Sequence, residues 1–113
     1  MTELATVLRD LLEGDIVELE LADRTIRTEV VGVDREVVRS PSGDRDRRCT
    51  IRFMPVGEDA KAAEADRYRI TIEPASDGYS VGDLIAEVYV EAELDYRSEP
   101  RGELVGVDPD DAF

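Results

Sequence analysis

The 113 residues carry 28 acidic against 14 basic side chains, a net charge of −14, yet 42% of the chain is hydrophobic. That length accommodates one domain with a core able to fold alone, and the apolar share is too high for an intrinsically disordered acidic polymer. With no histidine, the commonest general base, the usual transition-metal ligand and every His-dependent triad are missing, so a non-catalytic protein without cofactor or metal is expected.

Thr2 is placed to cap a helix whose apolar residues Leu4, Val7, Leu8 and Leu11 recur at three- and four-residue steps, with Gly14 placed to end it. After Gly14 the period changes to two. Val17, Leu19 and Leu21 alternate with Glu18 and Glu20 as a half-buried strand. A second strand follows at once, and a turn at Asp23-Arg24 would set Leu21 opposite Ile26, Leu19 opposite Thr28 and Val17 opposite Val30. Glu20 then meets Arg27, and Glu18 meets Glu29 as a like-charge pair. Gly32 interrupts the second strand, and a glycine there marks a bulge or sharp bend.

Val37 and Val38 begin a third strand, and Pro41, Ser42, Gly43 and Asp44 make a turn. Cys49, Ile51 and Phe53 alternate with Arg48, Thr50 and Arg52 until Pro55 stops the pairing. Residues 57–66 read as a polar surface loop. Tyr68, Ile70 and Ile72 form a further strand, 75–78 a turn, and Ala86, Val88, Val90, Ala92 and Leu94 a long last strand. The expected organisation is a single domain over 1–107 followed by an acidic tail over 108–113. Two fragments look alike, Glu29-Val30-Val31-Gly32-Val33-Asp34 and Glu103-Leu104-Val105-Gly106-Val107-Asp108, as a duplication or a coincidence of strand-forming residues would leave them.

Few residues suggest chemistry. Cys49 has Arg47, Arg48 and Arg52 nearby in sequence, which would favour its thiolate, but alternation puts it on the apolar face with Ile51 and Phe53, where a packed core cysteine is expected. Asp44-Arg45-Asp46 begins like a calcium loop and lacks the later ligands. The informative feature is the placement of arginine. Between Arg24 and Arg52 there are eight arginines against five acids, a local +3 in a chain whose remainder is −17. Arg45, Arg47, Arg48 and Arg52, joined by Arg35 and Arg39, are the candidate contacts to RNA or another nucleic acid, or to an acidic protein partner. The alternative is that these arginines pair with carboxylates of their own chain.

The helix, then Gly14-Asp15-Ile16-Val17-Glu18-Leu19-Glu20-Leu21, the Asp23-Arg24 turn and Val30-Val31-Gly32-Val33-Asp34 resemble the opening motif of Sm-like proteins. The pattern covers about the first third of the chain, through Val38, and is shared by other SH3-like barrels. The resemblance implies a mainly β fold, a small bent SH3-like or Sm-like barrel with an N-terminal α-helix closing one end. It also implies ring-shaped homo-oligomers that bind single-stranded RNA. Val38 stands where that family has the asparagine that contacts a base, and Ile51-Arg52-Phe53 is a partial counterpart of its second motif, Ile-Arg-Gly.

No apolar run approaches the roughly 20 residues needed to cross a bilayer. Met1 to Asp10 lacks a basic segment followed by an apolar one, and the lone cysteine fits a reducing compartment, so a cytoplasmic location is expected. Lys61 is the one lysine, and this substitution of acids for lysine resembles the acidic proteins of salt-accumulating halophiles. Self-repulsion opposes the compact state in dilute buffer, and at molar salt the Debye length falls to about 3 Å, which removes most of it. Melting followed by circular dichroism should therefore show a higher Tm in molar potassium chloride than in dilute buffer; an identical Tm would contradict a charge-limited fold.

Overall fold

Among the described residues the hydrophobic periods read along the chain translate into one short helix and eight strands. In the computed structural model, which describes residues 4–58, 65–76 and 78–109, α1 spans Leu4–Arg9 and the strands are β1 (Ile16–Glu20), β2 (Thr25–Arg39), β3 (Arg45–Pro55), β4 (Arg67–Ala75), β5 (Gly78–Val81), β6 (Ile85–Val90), β7 (Asp95–Pro100) and β8 (Gly106–Pro109). All pairings are antiparallel, in the order β7-β6-β4-β3-β2-β1-β8, with β5 beside the far half of β4. The mainly β expectation holds. The sheet is not closed into a barrel, because β7 and β8 stand at opposite ends of the pairing order and do not meet.

The inner face is apolar. Val17, Leu19, Val30, Ile51, Phe53, Ile70, Ile72, Leu84 and Ala86 have no exposed surface, and Cys49 and Tyr68 are 2% exposed. Helix α1 lies across this face and packs against β5 and β8, burying Ala5 and Leu8. It stops at Arg9, sooner than Gly14, because the Leu11 N–H tightens onto the Leu8 carbonyl and turns Leu11 into the core. Gly14, at φ 99°, then makes the reversal into β1. Thr28, buried at the centre, satisfies its hydroxyl on the Val17 carbonyl at 3.1 Å. Among the described residues no helix is long and apolar enough to cross a membrane.

Four local expectations are corrected. The β1–β2 hairpin closes with a loop over 21–24, held by the Leu21 N–H on the Arg24 carbonyl, instead of a two-residue turn. Leu19 therefore pairs with Ile26 and Glu18 with Arg27. The slip is two positions, so every apolar residue keeps its face, and the anticipated Glu18–Glu29 repulsion is replaced by an attraction. No new strand starts at Val37, since β2 runs unbroken to Arg39. The long last strand ends at Val90; residues 91–94 turn, with Leu94 exposed at φ 53°, and β7 returns along β6. Finally, Asp108 and Pro109 belong to β8, paired with Glu18 and Val17. Capping Thr2, most of the polar loop over 57–66 and the end of the acidic tail lie outside the described residues.

The bulge expected at Gly32 is present. Val30 pairs with Phe53 and Gly32 with Arg52, leaving Val31 as the extra residue. Before it, Ile26, Thr28 and Val30 point inward; beyond it, Val33 pairs with inward-facing Ile51, and the inward set becomes odd-numbered.

On the other flank of β1, Glu20 lies over Gly106 of β8. Its carboxyl shares a hydrogen bond with Asp108, and that bond, with the charges of Asp108 and Glu18, raises its pKa above the ordinary glutamate value. The folded chain holds this proton more tightly than the unfolded one. The bond thus adds stability at acid pH and is lost as pH rises through the raised value. Glu20→Gln, whose amide donates to Asp108 without first binding a proton, should raise Tm at pH 7, with the gain shrinking as pH falls through the raised Glu20 value toward the ordinary glutamate range. A gain of equal size throughout would contradict the shared proton.

Candidate functional site

Strands β2 and β3 outrun their neighbours. β1 pairs with β2 only up to Glu29, and β4 pairs with β3 only from Cys49 onward. Residues 35–39 and 45–48 therefore form a two-stranded arm, closed at its tip by the Ser40 N–H on the Asp44 carbonyl and by Gly43 at φ 92°. All six arginines proposed from the sequence lie on β2 and β3, five of them on this arm, and strand alternation divides them between its two faces.

On the outer face Glu36 is opposite Arg48 and Asp34 opposite Thr50. Arg48 bridges Glu73 at 2.8 Å and Glu36 at 3.6 Å, and Arg52 is hydrogen-bonded to Asp34. These two arginines are engaged by carboxylates of their own chain.

The inner face is different. The pairs Arg35–Cys49, Val37–Arg47 and Arg39–Arg45 place four arginines around Val37, on the side that α1 occupies. Arg35 donates to the Arg9 carbonyl at 3.3 Å and Arg39 to the Gly43 carbonyl at 3.2 Å. Among the described residues neither Arg45 nor Arg47 is in an ion pair within 4.0 Å. Val37 is 62% exposed at the centre of the cluster.

Arg9, which sequence reasoning did not single out, completes the site. Standing at the end of α1, its guanidinium lies 3.8 Å from the centroid of the Tyr79 ring and 4.0 Å from the Asp46 carboxylate. Tyr79, on β5, donates its hydroxyl to both Asp46 oxygens at 3.0 and 3.1 Å. The Arg47 backbone N–H, the Tyr79 hydroxyl and the nearby Arg9 and Arg47 charges hold the Asp46 carboxyl below the usual aspartate value. The only sequence cue to Arg9 was its position at the last turn of an amphipathic helix. Its proximity to Arg47 is a tertiary fact.

Two neighbouring hollows result, both lined by Arg9 and Arg47. The larger, about 370 Å³, adds Val37, Arg45 and Asp46; the smaller, about 170 Å³, adds Asp10, Arg35 and Cys49. Burial pushes the Cys49 thiol above its ordinary pKa against the opposing pull of Arg35 and Arg9. Cys49 is thus a packed wall, not an activated nucleophile. The arginines that face it are Arg35 and Arg9, because Arg48 and Arg52 point outward. The groove offers guanidinium forks suited to phosphate or carboxylate oxygens. No protein-family model matches this chain, and neither a curated protein nor a solved structure is significantly similar to it.

Proposed function

We propose that this protein is a non-catalytic binding module whose inner arm face, Arg35, Arg39, Arg45 and Arg47 with Arg9 from α1, holds the phosphate backbone of a single-stranded nucleic acid, RNA first. The observation that carries the reading is the division of the arginines. Those on the outer face are neutralised at close range, whereas Arg45 and Arg47 have no carboxylate within 4.0 Å among the described residues. In a chain of net charge −14, leaving cations unpaired on one face is the economical way to attract an anion to one place and repel it elsewhere.

Arginine forks supply positioning contacts to phosphates, while sequence readout would need stacking platforms. Tyr79 does not offer one, since Arg9 covers its ring. The proposed binding is accordingly indifferent to base sequence and steeply weakened by salt.

A second reading is docking of an acidic protein, with a cytoplasmic assembly role. It is favoured by Val37 at the centre of the face and by the backbone edge of β3 that β4 leaves unpaired over 45–48, both of which suit an added strand.

Size-exclusion chromatography in potassium chloride, with absorbance at two wavelengths, reports oligomer state and co-purified nucleic acid together, because the chain has no tryptophan. Titration with a fluorescent single-stranded RNA and, separately, with polyglutamate then decides between the partners. Arg45→Ser with Arg47→Ser should weaken RNA binding by about tenfold or more. Arg48→Ser with Arg52→Ser should leave it nearly unchanged, at a stability cost of about 0–1 kcal/mol per exposed pair. Loss of binding only in the second variant would overturn the inner face as the site, and binding of polyglutamate without RNA would overturn the nucleic-acid reading.

A further inference from the structure

The smaller hollow has features that an extended phosphate-binding face does not require. It is lined by Cys49, 2% exposed, and by Arg9, Arg35, Arg47 and Asp10. At about 170 Å³ it has room for roughly five or six water-sized volumes of ~30 Å³, comparable to one phosphate group and too little for a strand to pass through. Two of its three guanidiniums are fixed in advance: Arg9 by the Tyr79 ring and Asp46, and Arg35 by the Arg9 carbonyl. Two carboxylates, Asp10 in the lining and Asp46 at 4.0 Å from Arg9, leave the three cations a net positive charge, and their forks can meet the three free oxygens of a terminal phosphate, where a diester offers two.

From this geometry we propose that the cleft between α1 and the β2–β3 arm is a phosphate-monoester site, seating a terminal –OPO₃²⁻ group on Arg9, Arg35 and Arg47 while the rest of the ligand lies in the larger hollow beside Val37 and Arg45. The inference deepens the proposed anion-binding reading and rests on it for the polymeric ligand. The group has two sources, the phosphorylated end of a nucleic-acid strand or a small phosphate ester such as a nucleoside monophosphate. In both, the group meets guanidiniums already oriented by Tyr79, Asp46 and the Arg9 carbonyl, which lowers the ordering cost of binding.

The test is calorimetric titration of the full chain in about molar potassium chloride with inorganic phosphate, a nucleoside monophosphate, and a short RNA with and without a 5′-phosphate. One saturable phosphate or nucleotide site is expected, weakened about tenfold by Arg35→Gln or Arg9→Gln and unchanged by Arg52→Ser on the outer face. Arg35 is exposed, so its variant keeps the test decisive should Arg9→Gln fail to fold by circular dichroism. A 5′-phosphorylated RNA that binds more tightly than its unphosphorylated twin identifies the strand end as the source; a nucleoside monophosphate that binds as tightly as the phosphorylated RNA identifies the small ester. Equal binding of the two RNAs with no phosphate or nucleotide binding overturns the cleft and leaves the open arginine face standing. Phosphate binding without RNA binding does the reverse, keeping the cleft and overturning the nucleic-acid partner.

Discussion

Everything at the candidate site depends on one extra residue in β2. Side chains of a strand alternate between faces, so inserting Val31 without a partner exchanges the inner and outer sets for the rest of the strand. Upstream, the even-numbered Ile26, Thr28 and Val30 fill the core. Downstream, the odd-numbered Val33, Arg35, Val37 and Arg39 share their face with Ile51, Cys49, Arg47 and Arg45. Unbulged pairing would have turned Asp34, Glu36 and Val38 inward and placed carboxylates beside α1. At Gly32 an added Cβ would sit 3.9 Å from that of Arg52, an ordinary contact, so the bulge does not depend on missing bulk there.

That exchange sorts charge as well as shape. The acids of β2 beyond the bulge, Asp34 and Glu36, fall on the outer face, where Arg48 and Arg52 meet them and Glu73 of β4 adds a second carboxylate to Arg48, while Asp46 of β3 is held by Tyr79 and Arg9. Such exposed pairs contribute little to stability, but they remove two arginines from competition for a partner. The inner arginines are left with backbone carbonyls, or with no carboxylate at close range among the described residues. A strongly acidic chain thereby presents a cationic groove whose position is set by backbone register rather than by composition.

Much of the fold could be read in advance because it is written in local period. The three- and four-residue spacing of Leu4, Val7, Leu8 and Leu11 marks α1, and strict alternation at Val17–Leu21, Cys49–Phe53 and Tyr68–Ile72 marks inner faces that are indeed buried. The two-position slip of the first hairpin was hidden, because Leu19 and Ile26 bury equally well in either register and only the charge pattern tells them apart. The turn at 91–94 was missed for a related reason: Ala92 and Leu94 continue the alternation of β6 although Leu94 is exposed. At the site, the sequence identified the arginine-rich stretch but could not sort its members, since that requires knowing where the bulge lies. Arg9, Tyr79 and Asp46 converge from α1, β5 and β3 across long sequence separations, and no local pattern announces them.

Cross-strand nuclear Overhauser contacts in the arm test the central claim most directly, because bulged and regular registers predict different backbone neighbours. In an isotopically labelled sample in concentrated potassium chloride, backbone contacts should connect Val37 with Arg47 and Arg35 with Cys49. A set displaced by one residue, connecting Glu36 with Arg47 and Arg35 with Arg48, would show β2 continuing without its extra residue, and the sorted arginine face would not exist.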